Sequence, residues 1–99
     1  MLGQVNDTAI KLVKFQGEFV WHSHELEDEM FLVISGNFEM HFRDKIVNLE
    51  AGECLIVPRG VEHKPVALEE VCVMLIEPSS TVNTGAVLEQ RTRNVLEKI

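Results

Sequence analysis

The sequence predicts an all-β fold, a small sandwich or barrel, and two features indicate it. Short apolar segments rich in Val, Ile, Phe and Leu follow one another closely and are separated by turn signals, as in all-β domains. Residues 38–43 alternate between apolar and polar side chains, which is the period-2 pattern of a half-buried strand. The length of 99 residues suits a single small domain, so we expect one domain over residues 1–99.

The apolar segments define the predicted strands in order. They are Ile10–Phe15, Phe19–His22, Glu29–Ser35, Phe38–Arg43, Ile46–Leu49, Cys54–Val57, Lys64–Leu68 and Val71–Ile76. Predicted turns between them include Gln16-Gly17, Asp44-Lys45 and Glu69-Glu70. Segments 29–35 and 71–76 are apolar on both faces, so we expect them to be central strands or strands covered by a second sheet or a partner subunit.

The C-terminal part, residues 78–99, differs from the rest. Residues 79–85 have the composition of a loop, and the apolar residues that follow fit either a short helix or an extended arm. The sequence leaves both open. We therefore divide the chain into a barrel at about 10–77 and a C-terminal arm at 78–99.

Charge and cysteine content limit the partners and the location. Sixteen acidic residues against nine Lys and Arg give a formal net charge of −7, which argues against nucleic acid or an anionic membrane as a partner. Cys54 and Cys72 lie inside apolar segments, so we expect buried free thiols in a reducing cytosol. We see neither a secretory leader nor an apolar run of membrane-spanning length, and we predict a cytoplasmic protein.

The chemistry is concentrated in two segments, the first of which is residues 22–29. His22 and His24 are two residues apart, so on a strand both imidazoles point to one face, where they are natural ligands for a divalent transition metal. Glu29 opens the next strand on the same parity as Phe31 and Val33, so its carboxylate would face an apolar wall. A carboxylate there is costly unless it is paired or bound to metal.

The second segment, residues 52–63, is a strand followed by a tight turn. Pro58 lacks an N–H and ends the strand, and Gly60 suits a turn with positive φ. His63 then begins the returning strand and can point inward.

Together the two segments resemble the paired motifs of the cupin superfamily. The family pattern has His-x-His, then Glu and Gly in the first motif, and Gly, Pro-x-Gly and His in the second. The matching residues are His22, His24, Glu29, Gly36, Gly52, Pro58, Gly60 and His63. Two positions depart from the pattern: Gly17 lies one residue closer to His22 than usual, and Ala67 stands where the family has Asn.

The resemblance implies a small double-stranded β-helix barrel, also called a jelly roll, with one metal centre. The implied ligands are His22, His24, Glu29 and His63. Three imidazoles and one carboxylate suit Fe, Mn, Ni, Co or Zn and leave positions for water or a small molecule. His41, in contrast, lies outside the motifs on the polar face of its strand, and we expect it to be an exposed surface residue.

Two main classes of function remain open at this point, beside a weaker third, a structural dimer whose metal only fixes the barrel. One is a metalloenzyme, an oxygenase, isomerase or lyase acting on a small organic molecule; the other is a non-catalytic module that binds a metal or small ligand. The sequence offers no evident acid or base beyond the ligands. We expect Arg59 and the acidic residues at 25, 27 and 28 to be solvated. From the small size, the apolar strands and the habit of the family we expect a homodimer.

Overall fold

The computed structural model describes residues 2–80 and the short strand at 96–98. Throughout this part of the chain the regular structure is β-strand, and every strand pair is antiparallel. The strands are β1 (Gly3–Val5), β2 (Thr8–Glu18), β3 (Glu29–Ser35), β4 (Asn37–Phe42), β5 (Ile46–Glu50), β6 (Cys54–Val57), β7 (His63–Pro78) and β8 (Leu96–Lys98). The all-β prediction is confirmed, and β3 and β6 have the bounds that the sequence predicts.

Strand β7 is the centre of the sheet. One of its edges pairs with β2. Its other edge pairs with β4 through the first half of β7 and with β3 through the second half. Strand β4 also pairs with β5, and β3 also pairs with β6. Because two arms leave the same edge of β7 at different points, the sheet folds over on itself and encloses a core.

The two strands predicted at 64–68 and 71–76 are one long strand, and the turn predicted at Glu69-Glu70 is wrong. The pairing of β2 with β7 shifts register between Phe15 and Gly17, so residues 68–70 of β7 form a bulge. A bulge bends a strand without ending it. The bend lets the first half of β7 pair with β4 and the second half with β3.

Gly36, at the junction of β3 and β4, fits against this bulge. Its φ is +83°, and a Cβ placed there would lie 3.0 Å from the carbonyl oxygen of Glu70 and 3.3 Å from Cα of Val71. Both the left-handed backbone and the close approach require glycine. The motif glycine therefore fixes where the chain leaves β3 for β4.

The segment Phe19–His22 does not form the predicted strand. It follows β2 directly and makes one isolated bridge, between His22 and His63. The N–H of Phe19 donates to the carbonyl of Pro65 at 3.0 Å. Because a proline at 65 has no N–H to return the bond, a regular ladder cannot continue here.

The core lies on the inner face of the folded sheet. Strand alternation places one parity of each strand inside, which is the physical basis of the predicted pattern. The buried cluster consists of Val13, Phe15, Phe19, Phe31, Val33, Phe38, Met40, Leu49, Val57, Ala67, Val71 and Val73. Because these residues come from most of the strands, they hold the two arms of the sheet together.

The predicted burial of the thiols is wrong. Cys54 is exposed and Cys72 is half-buried, and both are free. Leu32 pairs with Cys54 and Ser35 with Cys72, and these cysteines take the parity opposite to that of the core. An apolar neighbourhood in sequence thus does not bury a residue whose strand parity points outward.

The prediction of a helix or arm at 78–99 falls largely outside the described residues. Within the described part, β8 pairs with β2 through residues 13–15, on the edge that β1 occupies at residues 8–10. The division into barrel and arm stays a prediction. Among the described residues, no helix has the length and apolar character to cross a membrane.

Candidate metal centre

His22 and His63 face each other across an isolated bridge between the two motif segments. The N–H of His22 donates to the carbonyl of His63 at 3.1 Å, and the N–H of His63 donates to that of His22 at 2.9 Å. Their ring centroids lie 4.2 Å apart. Residues paired in this way point to the same face of a sheet, so the bridge places both imidazoles inside the barrel.

Glu29 enters the same space from β3. It is 6% exposed, and it shares its inward parity with Phe31 and Val33, as the sequence predicts. One ligand atom each from His22, Glu29 and His63 lies within 4.8 Å of the others. We call these three residues the inner cluster.

His24 lies next to the inner cluster. Its Nε2 is 3.2 Å from Oε1 of Glu29, and its carbonyl accepts a hydrogen bond from the N–H of Gly60 at 2.7 Å. The positive φ of Gly60, +80°, forms the predicted turn and aims that N–H at the first motif. The fold therefore brings all four residues implied by the resemblance to one place.

Hydrogen bonds to the backbone fix the orientation of two imidazoles. Nδ1 of His22 lies 3.0 Å from the carbonyl oxygen of Val20, and Nδ1 of His63 lies 2.9 Å from that of Val61. Since a carbonyl oxygen only accepts, each Nδ1 carries a proton and donates. In the neutral ring Nε2 is then the atom with the free lone pair, which is the arrangement that supports a metal ligand.

Two buried atoms of the inner cluster lack hydrogen-bond partners among the described residues: Oε1 of Glu29 and Nε2 of His63. They lie 3.5 Å apart. Nε2 of His24 also lies 3.2 Å from Oε1 of Glu29. Buried polar atoms are nearly always satisfied, so this pair fits a cation that both atoms would bind.

The electrostatics of the site favour the metal-binding protonation states of Glu29 and His22. Burial would raise the pKa of Glu29, but the neighbouring imidazoles of His24 and His63 outweigh it and hold that pKa far below its usual range. Burial lowers the pKa of His22. The Glu29 carboxylate raises the pKa of His24. Glu29 is therefore an anion and His22 a neutral ring, which are the forms that bind a metal.

Trp21 anchors the irregular segment that carries His22 and His24. The Arg43 guanidinium lies 3.9 Å from the centroid of the Trp21 ring, and the Lys64 ammonium lies 5.3 Å from it. These are cation–π distances. Among the described residues this segment makes one isolated bridge to the sheet, so the Trp21 contacts help to hold it against the end of β4 and against β7.

Arg59 connects the two motif loops. Its backbone N–H donates to Oδ1 of Asp28 at 2.8 Å, and its guanidinium contacts both carboxylate oxygens. Hydrogen bonds from the side chain and backbone of Arg59 lower the pKa of Asp28. The prediction that both residues are merely solvated needs correction: they are exposed, but they pair with each other.

His41 lies outside the site, on the outer face of β4, as the sequence predicts. Its side chain is 22% exposed, and Nε2 lies 3.0 Å from Oε1 of Glu39. His41 is thus half-buried and paired rather than freely exposed, because Glu39, two positions earlier, points to the same face.

Sequence reasoning missed one buried pair, Lys11 and Glu77. Glu77 is 5% exposed, and Nζ of Lys11 lies 3.2 Å from its Oε2. Burial and the charge of Glu29 raise the pKa of Glu77, and Lys11 opposes them. The predicted strand ended at Ile76. Glu77 has the same parity as Val71 and Val73, so extending that strand by one residue would have placed Glu77 on the inner face.

Comparisons with known proteins identify the family to which this chain belongs. The family described as Cupin domain matches residues 11–77, and the chain belongs to it. A crystal structure of a cupin-2 domain containing protein from Shewanella frigidimarina is similar, with a TM-score of 0.76 and 51% identity over 78% of this chain and 76% of that one. KdgF from Halomonas sp. gives a TM-score of 0.71 and 26% identity over 80% and 74%.

A curated relative is the uncharacterized protein YdbB of Bacillus subtilis. It is 38% identical over 64 residues, which is 64% of this chain and 57% of that protein. The chain thus spans little more than half the length of this relative. The comparisons support the cupin barrel fold, and they name no reaction for this chain.

Proposed function

We propose that this protein binds a divalent transition metal through His22, His24, Glu29 and His63 and holds a small organic molecule at that ion. The observation that carries the proposal is the pair of buried atoms without hydrogen-bond partners, Oε1 of Glu29 and Nε2 of His63. Buried polar atoms without partners are costly, and a cation bound by both of these atoms, which lie 3.5 Å apart, would satisfy them. Imidazole and carboxylate ligands suit Fe, Mn, Ni, Co or Zn.

The chain's own residues would have two tasks at this centre. Val20 and Val61 hold the His22 and His63 rings through their carbonyls, and the inner face excludes bulk water from Glu29. A bound divalent ion supplies Lewis acidity and lowers the pKa of a coordinated water. The four ligands leave positions at the ion for a small molecule.

The experiment that tests the metal site uses the whole chain. Protein purified without chelator is analysed for metals. Chelator-treated protein is then heated with Mn²⁺, Fe²⁺, Co²⁺, Ni²⁺ or Zn²⁺, and with Mg²⁺ as the control because Mg²⁺ prefers oxygen ligands. A metal at 100 times its Kd adds about 2.7 kcal/mol to the free energy of unfolding. Absence of bound metal together with no thermal shift for any transition metal would refute the proposal.

Catalysis and simple binding are separated on the metal-loaded protein. Oxygen consumption and substrate loss are measured over a panel of small diketones, thiols and sugar derivatives. Turnover that disappears in a Glu29→Gln variant supports a metalloenzyme. No turnover across the panel, with metal bound, favours the non-catalytic binding module.

We further propose a second copy of this chain as a partner, because a contiguous part of the outer face of β2, β7, β3 and β6 is apolar. Adjacent outward positions on these strands, known from the pairing register, form one patch. Its members are Ile10, Leu12, Met30, Leu32, Ile34, Cys54, Ile56, Cys72, Met74 and Ile76. We call this set the outer apolar face.

Two arguments favour a second copy over other occupants of the outer apolar face. Contiguous apolar surface of this kind marks interaction sites, and a two-fold axis lets one patch cover another. The members carry no charge, so two chains of net charge −7 can meet there without placing their acidic residues in contact. Cytoplasmic location stays a prediction from the sequence.

A further inference from the structure

Lys11 and Glu77 place two charged side chains on the inner face of the barrel. Lys11 shares its parity with the buried Ala9 and Val13 on β2, and Glu77 shares its parity with Val73 on β7. Inward positions of a small barrel are otherwise filled by apolar side chains. A lysine at such a position therefore calls for an explanation.

Stability does not explain this pair. The Glu77 side chain is 4% exposed and that of Lys11 is 27% exposed. A buried ion pair loses hydration on both partners, and apolar residues of the same volume are often at least as stabilising. The pair is thus better explained by a ligand than by the fold.

The register places the pair next to the inner cluster. Met30 pairs with Ile76. Because the strands are antiparallel, the residue before Met30, Glu29, lies beside the residue after Ile76, Glu77. Ala9, on the other side, pairs with Glu77. Lys11, Glu77 and Glu29 therefore follow one another across β2, β7 and β3 on the inner face.

The charges at this end of the barrel favour an anion. With a divalent ion on neutral imidazoles, the carboxylates of Glu29 and Glu77 and the ammonium of Lys11 leave one positive charge uncompensated. Lys11 has three N–H donors, and its contact with Glu77 uses one of them. Because its inward side chain is still 27% exposed, the ammonium group stays accessible to a small molecule.

We propose that Lys11, held in place by Glu77, binds a small organic carboxylate whose other oxygen reaches the metal ion. The inference rests on the metal centre proposed above and adds the charge of its ligand. Glu77 is a positioning residue in this arrangement, and Lys11 is the group that contacts the ligand. The expected ligand is a monoanion with a hydroxyl or carbonyl oxygen close to its carboxylate.

The test uses protein loaded with Co²⁺, whose visible spectrum reports on ligands at the ion, and lactate as the probe. We expect Lys11→Met to weaken lactate binding by about tenfold or more, the loss of one charge-assisted hydrogen bond. Lys14→Met is the matched control, because Lys14 lies on the same strand with the opposite parity. It removes the same charge and should change the affinity less than about twofold.

Lactamide, the neutral counterpart of lactate, completes the comparison. Its affinity should be alike in the wild type, Lys11→Met and Lys14→Met. Co²⁺ binding itself, measured by calorimetry, should be kept in both variants. If Lys11→Met leaves Glu77 unpaired and the chain fails to fold, the double variant Lys11→Met/Glu77→Gln removes both charges at similar volume and should show the same loss for lactate.

Three outcomes separate the two proposals. A wild type that binds no Co²⁺ overturns the metal centre and this subsite with it. A metal-loaded protein that binds lactate equally well with Lys11→Met, or the double variant, and with Lys14→Met overturns the subsite alone. A loss confined to Lys11 variants and to lactate supports it.

Discussion

At the residue scale, hydrogen bonds to the backbone decide what the histidines can do. His22 and His63 each donate from Nδ1 to a carbonyl two residues earlier in the chain. In the neutral ring this common geometry leaves the lone pair on Nε2 of each imidazole. The spacing of the motif shows that the rings are close, but only the backbone contacts decide which nitrogen faces the site.

We predict that His24→Ala lowers the affinity for Mn²⁺ or Co²⁺ at least about tenfold, since even residues outside the ligand set have effects of that size. Its contact with Glu29, 3.2 Å from Nε2 to Oε1, is the reason. Calorimetric titration measures the affinity. His41→Ala is the control, because His41 lies on the outer face, and it should leave the affinity unchanged. Equal effects of the two variants would show that the ligand assignment is wrong.

Metal binding should also release a proton near pH 7. In the metal-free protein the Glu29 carboxylate raises the pKa of His24 above 6.5, so part of the population carries an imidazolium that a metal must displace. Affinity should therefore fall as the pH drops through that pKa and level off above it. His22, whose pKa burial lowers, should not contribute at neutral pH.

Calorimetry in buffers of different ionisation enthalpy measures this proton. The apparent binding enthalpy should change with the buffer at pH 7 and much less at pH 9. An enthalpy independent of the buffer at pH 7 would contradict the protonation of His24.

At the element scale, the bulge in β7 is the feature on which the fold depends. The bulge lets β7 pair with β4 through one half and with β3 through the other. Gly36, at the junction of β3 and β4, packs against the bulge. The sequence shows Gly36 as a motif residue, but the reason for glycine is the carbonyl of Glu70, which is distant in the chain.

We predict that Gly36→Ala is more destabilising than Gly52→Ala. Both glycines have positive φ, +83° and +88°, but only at Gly36 would a Cβ meet other atoms. The left-handed backbone costs an alanine about 1–2 kcal/mol, so Gly52→Ala should lose about that much free energy of unfolding. Gly36→Ala should lose clearly more, because the neighbouring backbone of β7 must shift.

Urea denaturation of both variants measures these losses. The two substitutions add the same methyl group, so composition and unfolded-state effects are matched. Equal losses would mean that the contact with Glu70 and Val71 relaxes without cost.

At the scale of the whole molecule, the barrel has an apolar inside and an outer apolar face. The apolar character of both faces of β3 and β7 is visible in the sequence and led to the expectation of a partner. The fold places these outward positions side by side. Ile34 and Ile56 remain 46% and 59% exposed.

We predict that Ile34→Lys shifts the protein from dimer to monomer, because the substitution puts a charge into the proposed interface. Sedimentation velocity at several protein concentrations measures the mass. Ile46→Lys is the control: Ile46 is 58% exposed but lies on β5, which within the described part of the chain pairs with β4 alone. A wild type that is monomeric at all concentrations, or equal masses for both variants, would refute the proposed dimer.

The sequence by itself determined the all-β class, the inward parity of Glu29, and the segments that carry the histidines. These are local properties, because alternation and turn residues act within a few positions. The merging of two predicted strands into β7, the outward cysteines and the Asp28–Arg59 pair depend on which strands become neighbours.

Only the tertiary structure decided that Lys11 and Glu77, 66 residues apart in the chain, meet beside the proposed metal centre. Their placement follows from the register of β2 against β7, which is fixed by the packing of the whole inner face. Local patterns carry no information about that register, since a shift of one residue reverses the face of every side chain. The chemistry of the motif is therefore readable from the chain, whereas the second half of the proposed site depends on the fold.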